Sequence, residues 1–211
     1  MGERKSSRTG QVTRDRIIDA ALRTVKEEGL VRTSVRVIAR TGGFNQALVF
    51  YHFGSVEELL LAALERANDR RMDRFRERLE AVDSLVGLVA VALELHTADN
   101  AEDCDHSALS AIVAGWSANS EVGPRILEIL HPWDELVSAA LRRSLAGTPF
   151  GRVIPTDDMA HAISALFLGI ELLNRLDGDD RRTSALFASL AGAANLAGPM
   201  LHALAAPPAA D

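Results

Sequence analysis

The stretch of sequence that decides the fold is TSVRVIARTGGFNQALVFYHF, residues 33–53. Residues 34–40 carry apolar side chains at helical spacing and predict a short helix. The run Thr41-Gly42-Gly43 breaks that pattern, and Asn45 is a good N-cap for a second short helix ending around residues 51–52. Two short helices joined by a tight glycine turn predict a helix-turn-helix, whose second helix enters the major groove of DNA.

This arrangement makes three physical demands on the sequence. Apolar residues must lock the two helices together, the turn must be small, and the outward face must be polar enough to meet base edges. The locking residues are Ile38, Ala39, Phe44, Val49 and Phe53, with Gly43 in the turn. The polar face consists of Asn45, Gln46, Tyr51 and His52. All three demands are therefore met within one short segment.

The segment IARTGGFNQALVFYHFGS, residues 38–55, resembles the signature of the TetR family. That signature reads I-A-x-x-A-G-V-S-x-x-x-L-Y-x-H/Y-F, followed by a turn and a fourth helix that opens with S-K-x-x-L. The resemblance covers about Thr13 to Leu60, and beyond Leu60 only a generic all-helical pattern is similar. It implies an all-α transcriptional regulator, with an N-terminal three-helix helix-turn-helix domain followed by a larger helical ligand-binding and dimerisation domain.

The resemblance also implies a set of DNA-binding residues. These are Thr33, Ser34, Arg36, Asn45, Gln46, Ala47, Leu48, Tyr51, His52 and Ser55. The opening of the second helix would hold the DNA backbone, as would Tyr51 and His52. Gln46 can pair bidentately with adenine, whereas Ala47 and Leu48 can touch only a thymine methyl group. Asn45 is equally well read as a simple helix cap, and the two rings at 51–52 could instead close the small core.

Two positions depart from the family pattern. Phe50 stands where the family has a tyrosine, and Val56 stands where it has a lysine, so two phosphate contacts are missing. A basic arm could compensate, since affinity for the duplex scales with the phosphates that are neutralised. Its residues are Arg4, Lys5, Arg8 and Arg14, although they could also form a solvated tail. The departures support one alternative, a helical small-molecule-binding or dimerisation protein whose head no longer binds DNA.

The net charge of −6 divides unevenly along the chain. Residues 1–54 hold ten Lys or Arg against five Asp or Glu, a balance of +5, and the remainder holds thirteen against twenty-four, a balance of −11. A basic head on an acidic body indicates that only the head contacts a polyanion.

The rest of the chain is predicted to be helical throughout, with Thr13 capping the first helix and the capping box Ser55–Glu58 opening the fourth. Further helices are expected at about 83–98, 106–118, 121–146, 157–176 and 182–205. The predicted domains are a flexible basic arm at 1–12, a DNA-binding domain at 13–58, and an effector-binding and dimerisation domain at 59–211.

Small residues interleave with leucines in the last two predicted helices, which leaves too much apolar surface for one exposed face. Two such hairpins packed about a two-fold axis would bury it in a four-helix interface. The predicted dimer residues are Ala165, Gly169, Leu172, Ala188, Gly192 and Leu196. The resemblance implies the same homodimer, which would suit two operator half-sites.

Apolar walls with sparse polar groups are typical of small-molecule sites, and the middle helices offer such residues. The candidates are His96, Ile112, Trp116, Asn119, Leu130, Trp133, Leu166, Ile170 and Asn174. Taken singly, each could equally be an ordinary core residue. The effector itself is not identified by the sequence.

Other functional classes have little support. Glu128-x-x-His131 is half of a di-iron motif with no second half, and the acidic run Asp103–His106 is more typical of a solvated connector than of a metal site. No phosphate-cradling glycine loop, nucleophile elbow or CxxC is present, so we expect no catalytic residue, metal or cofactor. The uncharged stretch 185–206 could span a bilayer by length, but its Ala and Gly content favours a helix buried between partners. A single cysteine and the lack of a signal peptide favour the cytoplasm.

Overall fold

A computed structural model describes residues 2–99, 105–117 and 119–205 of the chain. Within these residues the secondary structure is helical and contains no strand, as predicted. The α-helices are α1 (Gly2–Glu28), α2 (Val35–Gly42), α3 (Gln46–Phe53), α4 (Val56–Ala81), α5 (Leu85–Asp99), α6 (His106–Trp116), α7 (Gly123–Leu145), α8 (Thr156–Asp177) and α9 (Arg181–Ala205). Two short 3-10 turns, Leu30–Arg32 and Pro149–Arg152, lie between helices.

The prediction that Thr13 caps the first helix is wrong. α1 begins at Gly2, and the Thr13 hydroxyl donates to the carbonyl oxygen of Thr9 at 3.0 Å, a bond inside the helix. A threonine whose hydroxyl bonds one turn back does not need to end the helix, because it leaves the backbone ladder intact. The other predicted helices agree closely with the structure, and α7 runs through Pro132.

The helices form two compact units. The first contains residues up to 71 together with 105–129, and the second contains 72–99 and the described residues from 130 onward. α4 and α7 therefore each contribute to both units. The predicted domain boundaries at residues 12 and 58 stay predictions.

The first unit is built around the apolar stripe of α1. Ile17, Ile18 and Val25 of this stripe are buried, and α1 packs against α2 and α6. The first half of α4 supplies further buried residues, among them Leu59 and Leu64. Burying this apolar surface is the main force that holds the short helices α2 and α3, since isolated helices of that length are marginal in water.

The second unit has a separate apolar core. Its buried members come from α4, α5, α7 and α8, and they include Phe75, Leu95 and Trp133. Arg143 closes the end of α4, because its guanidinium donates to the carbonyl oxygens of Leu79 and Val82. α9 packs on α5, where the ring of His96 stacks on that of Phe187 with centroids 5.1 Å apart.

Among the described residues no single helix is long and apolar enough to cross a membrane. α3 and α4 together pass the same test of length and composition, although they are bent by 74° relative to each other.

Candidate nucleic-acid interface

The turn between α2 and α3 depends on two glycines. Gly43 has φ 65°, a left-handed conformation that glycine adopts without strain, and its N–H caps the end of α2. A Cβ on Gly42 would come within 2.0 Å of the Phe44 ring and 2.9 Å of the Ala20 side chain. The close packing of this turn on α1 therefore requires the absence of a side chain at residue 42.

The inner faces of α2 and α3 are locked as predicted. Ile38 and Ala39 of α2 are buried, as are Val49 and Phe53 of α3, while Phe44 is half-buried in the turn. With one face held in this way, the opposite face of α3 is fixed in direction and turned to solvent.

That opposite face begins with Gln46 and Ala47, which are exposed, followed by the half-buried Leu48. The Asn45 side-chain oxygen accepts a hydrogen bond from the Ala47 N–H at 2.9 Å, so Asn45 caps α3. The cap interpretation of Asn45 is therefore confirmed, and its base contact stays a prediction.

The aromatic residues at the end of α3 point in different directions. Tyr51 is 83% exposed and Phe50 is 55% exposed, whereas His52 is half-buried with its ring edge-on to Tyr51 at 5.0 Å. A large phenol left this exposed does not close the core, so the alternative of a core role for Tyr51 is wrong. Its hydroxyl is accessible to a phosphate.

The polar residues at the start of α2 are capping groups as well as candidate phosphate contacts. The Ser34 hydroxyl accepts from the Val37 N–H at 3.4 Å, and the Thr33 hydroxyl donates to the Gly29 carbonyl at 2.9 Å. Arg36 is exposed. The Ser34 bond fixes the first turn of α2, where free backbone N–H groups favour an anion, and the Thr33 bond closes the 3-10 turn before it.

One of the two hydrogen bonds of the predicted capping box at the start of α4 is present. The Ser55 hydroxyl accepts from the Glu58 N–H at 3.1 Å, as predicted. The Glu58 carboxylate does not return to the Ser55 backbone but pairs with both terminal nitrogens of Arg125 at 2.6 and 2.8 Å. The Arg125 guanidinium lowers the pKa of Glu58 below its usual range, because its hydrogen bonds stabilise the ionised carboxylate.

The predicted basic arm can be followed only in part. The side chains of Arg4, Lys5 and Arg8 lie outside the described residues. The Arg14 guanidinium lies 4.8 Å from the centre of the Phe53 ring, a cation–π contact that places this arginine over the end of α3. Its phosphate contact stays a prediction.

Ionic connections between α4 and its neighbours in the first unit were not predicted. The guanidinium of Arg70 reaches Asp19 of α1 at 2.7 Å and Asp105, beside α6, at 2.8 Å, and Arg66 pairs with Asp15 of α1. The Arg66 guanidinium lowers the pKa of Asp15, chiefly through their hydrogen bond. These partners are 35 to 51 residues apart in sequence, and no local pattern signals such a pairing.

The predicted effector residues divide between the two units. In the first unit Ile112 is fully buried, Trp116 is half-buried, and Asn119 closes the turn before α7 by accepting from the N–H groups of Glu121 and Val122. Asn119 therefore has a structural role that the sequence did not indicate.

The remaining effector candidates belong to the second unit. His96 and Trp133 are buried, and the Asn174 side chain accepts a hydrogen bond from Thr183 at 2.8 Å. Leu130 and Ile170 are half-buried, whereas Leu166 is exposed. Their participation in an effector site stays a prediction.

The second unit also has an open cleft of about 430 Å³ at the end of α7. It is lined by Arg142, Leu145, Ala146, Gly147, Thr148, Gly151 and Arg152, none of which was among the predicted effector residues. Arg142 already pairs with Asp157 at 3.2 Å.

The predicted dimer residues of α8 and α9 lie on surfaces that this chain leaves open. Ala165, Leu172, Ala188, Gly192 and Leu196 are exposed. Gly169 is half-buried, yet an added Cβ at Gly169 or Gly192 would meet no described atom within 4 Å.

Of the partial metal motifs, the structure describes the one on α7 but only part of the acidic run. The described residues contain no group of three or more His, Cys, Asp or Glu side chains that could hold a metal ion. His131 lies 3.4 Å from Glu135, one turn along α7. Asp103 and Cys104 lie outside the described residues.

Comparison with known proteins identifies related sequences in the same segment. The model of the family described as bacterial regulatory proteins, tetR family, matches residues 17–63. The HTH-type transcriptional regulator BetI of Rhizobium meliloti is 42% identical over 53 residues, which are 25% of this chain and 26% of that relative. BetI of Agrobacterium fabrum is 28% identical over 169 residues, 77% of each chain. The higher identity is therefore confined to about a quarter of the relative's length.

Solved structures share the fold more widely. The transcriptional regulator FadR from Bacillus subtilis, in complex with stearoyl-CoA, superposes with a TM-score of 0.69 and 19% identity. The match covers 84% of this chain and 95% of FadR, so it extends well beyond the helix-turn-helix.

Proposed function

We propose that this chain, whose residues 17–63 match the TetR family of bacterial regulatory proteins, is a homodimeric, ligand-responsive transcriptional regulator that binds a palindromic operator. The observation that carries the proposal is the exposed start of α3, where Gln46 and Ala47 face solvent on a helix whose inner face is locked. No comparison favours the alternative of a head that has lost DNA binding.

Each group on this face suits a particular part of the duplex. The Gln46 amide can exchange two hydrogen bonds with adenine, and the side chains of Ala47 and Leu48 can meet a thymine methyl group. The Tyr51 hydroxyl and the start of α2 suit phosphate oxygens, which position the helix without reading sequence. The balance of +5 in residues 1–54 favours this approach over one through the acidic remainder.

The homodimer is supported by the apolar surface of α8 and α9. Leu176 and Leu196 are more than 70% exposed, and they lie on the same helices as Gly169 and Gly192, around which there is open space. Exposed apolar patches of this kind mark interaction sites, and a second copy offers a self-complementary surface of the same character. Two heads related by a two-fold axis would read two half-sites of a palindrome.

Ligand response is proposed for the second unit. FadR, whose fold this chain shares, was solved with stearoyl-CoA bound. In this chain the proposed effector sites are the half-buried candidates of α7 and α8 and the cleft beside Arg152. A ligand that prefers the separation of heads that does not fit DNA would weaken operator binding by its differential affinity for the two states. Repression relieved by the ligand is the proposed mode, acting in the cytoplasm and without catalysis.

The DNA-binding proposal is tested by gel shift with the DNA that flanks its own gene. We expect a complex that survives excess unrelated duplex and is lost in the double variant Gln46→Ala, Tyr51→Ala. The matched control is Glu65→Gln, an exposed residue of α4 outside the recognition helix, which should leave the complex unchanged. Binding that ignores duplex sequence, or that persists in the double variant, would contradict the proposal. The flanking DNA can be replaced by a duplex selected from a random library if no site lies there.

A further inference from the structure

The start of α4 is held by an arginine from a distant part of the chain. Glu58 is the third residue of α4, and α4 follows α3 after only Gly54 and Ser55. Both oxygens of its carboxylate accept hydrogen bonds from Arg125 of α7, at 2.6 and 2.8 Å. All of these residues belong to the first unit.

A two-point bond of this kind fixes direction as well as distance. The guanidinium and carboxylate are both planar, so two parallel hydrogen bonds define their mutual orientation. The carboxylate also lies in the first turn of α4, where the helix dipole favours a negative charge. The Ser55 cap on the Glu58 N–H holds the backbone of the same residue at 3.1 Å. Glu58 is therefore fixed through its backbone on one side and its carboxylate on the other.

The pair is poorly suited to stabilising the fold. Both side chains are 48% exposed, and ion pairs in water contribute little to folding because solvent screens their attraction. The buried residues of α1 and α4 supply the stability of this unit instead. What the pair adds is a defined position for the first turn of α4.

The same segment of chain is attached to α4 at two further points. Arg70 donates to Asp105 at 2.8 Å, and the Asn68 amide donates to the Ile129 carbonyl, also at 2.8 Å. Residues 105–129 are thus held along α4 from its first turn to its middle. The attachment nearest the recognition helix is the one through Glu58.

We propose that Arg125 is a positioning residue for DNA recognition, which acts through Glu58 to fix the start of α4 and, with it, the angle at which α3 enters the major groove. Recognition groups must be held to within about 0.5 Å of productive geometry, so a small rotation at the α3–α4 junction misplaces the base contacts. This inference rests on the proposed DNA-binding function.

The test compares specific with non-specific binding. The specific probe is a duplex selected from a random-sequence library by the wild-type protein, and the non-specific probe is a scrambled duplex of equal length. Glu58→Gln removes a negative charge, so charge alone predicts tighter binding to both probes. Positioning predicts that the ratio of the two affinities falls about tenfold, as when one base contact is lost. Arg125→Gln should lower the ratio by the same factor, and the exchanged pair Glu58→Arg with Arg125→Glu should restore it.

A matched control lies on the same helix. Arg78 of α4 pairs with Glu94 inside the second unit, and these side chains are 57% and 51% exposed. Arg78→Gln removes a comparable ion pair far from the junction and should leave the ratio unchanged. Thermal melting of all variants should stay close to that of the wild type.

The outcomes separate this inference from the function on which it rests. A wild-type protein that selects no preferred duplex overturns the DNA-binding proposal and this inference with it. Specific binding by the wild type, with an unchanged ratio in both single variants, overturns the inference alone. A large loss of melting temperature in the single variants also overturns it, because the pair would then be a support of the fold.

Discussion

The two units of the chain differ in how completely they bury their large apolar side chains. In the first unit α1, α2 and α4 bury most of theirs, and the exposed ones are scattered: Val12, Val31 and Leu127 lie apart from Phe50 and Tyr51, which are on the helix proposed to meet DNA. In the second unit α8 and α9 leave a series of leucines exposed, with Leu196 at 78%. The first unit thus completes its core within one chain, whereas the second retains apolar surface that suits another protein surface. The comparison assigns the proposed DNA contact and the proposed self-association to different parts of the molecule.

The largest effect is expected when a charge is placed on the exposed apolar surface of the second unit, because that surface is proposed to form the dimer. Leu172→Arg should convert the dimer to a monomer and weaken operator binding by about 10²- to 10⁴-fold, because two linked heads bind far more tightly than one. Analytical ultracentrifugation and a titration of the selected duplex measure the two effects. Leu127→Arg changes a leucine on α7 in the first unit that is also exposed, and should leave the oligomeric state unchanged. A dimer that persists in Leu172→Arg would remove α8 from the proposed interface.

A cavity made in the core of the first unit tests whether that core supports the unit by itself. Ile38 of α2 is fully buried, so Ile38→Ala should lower the free energy of unfolding by about 2–5 kcal/mol and abolish sequence-specific binding. Chemical denaturation provides the measurement. Val31→Ala, at a fully exposed position, should change stability by less than about 0.5 kcal/mol. Similar losses in both variants would show that the burial of Ile38 does not support the unit.

Two serine caps allow the units to be compared with the same substitution. Ser55 caps α4 in the first unit, and Ser84 caps α5 in the second by accepting from the Gly87 N–H at 3.2 Å. Each change to alanine should cost about 1 kcal/mol of stability. Only Ser55→Ala should also lower sequence-specific DNA binding, since it adjoins α3. If Ser55→Ala and Ser84→Ala lowered DNA binding equally, DNA recognition would not be confined to the first unit.

The smallest expected effect is a pH dependence of the first unit. The folded protein lowers the pKa of Asp15 through Arg66, so this pair contributes stability above the unfolded pKa of Asp15 and loses it as the pH falls through the folded value. Because the Asp15 side chain is more than a third exposed, the contribution should be well under 1 kcal/mol. Melting curves between about pH 5 and pH 2 should decline less steeply in Asp15→Asn than in the wild type. If the wild type and Asp15→Asn lose stability in parallel as the pH falls, the Asp15–Arg66 pair does not contribute to the acid sensitivity of the fold.

Local patterns predicted much of the fold. The turn at Gly43, the cap at Asn45 and the buried stripe of α1 were all identified from spacing and residue type, because helix ends and amphipathic faces are short-range properties. The same kind of reasoning failed at Thr13, where the hydroxyl found a partner inside the helix. A cap and an internal hydroxyl bond look alike in sequence, so the start of α1 was placed twelve residues late.

Of the candidate DNA site, the sequence indicated the residues but not what else they do. Asn45, Ser34 and Thr33 each use their side chain in a hydrogen bond to the backbone. Arg36, Gln46 and Tyr51 are exposed and remain accessible to DNA. Arg14 proved to lie over Phe53. Accessibility depends on what surrounds a side chain, and that information is not local.

By itself the sequence determined that this protein is helical, that residues 33–53 form a helix-turn-helix, and that its excess of basic residues lies in the N-terminal segment, residues 1–54. Each of these follows from periodicity, turn chemistry or composition within a few turns of chain. Only the tertiary structure decided that Glu58 reaches Arg125, 67 residues away, rather than its own cap, and that Arg70 joins α1 to the start of α6. Such pairings depend on where the buried faces bring distant helices together.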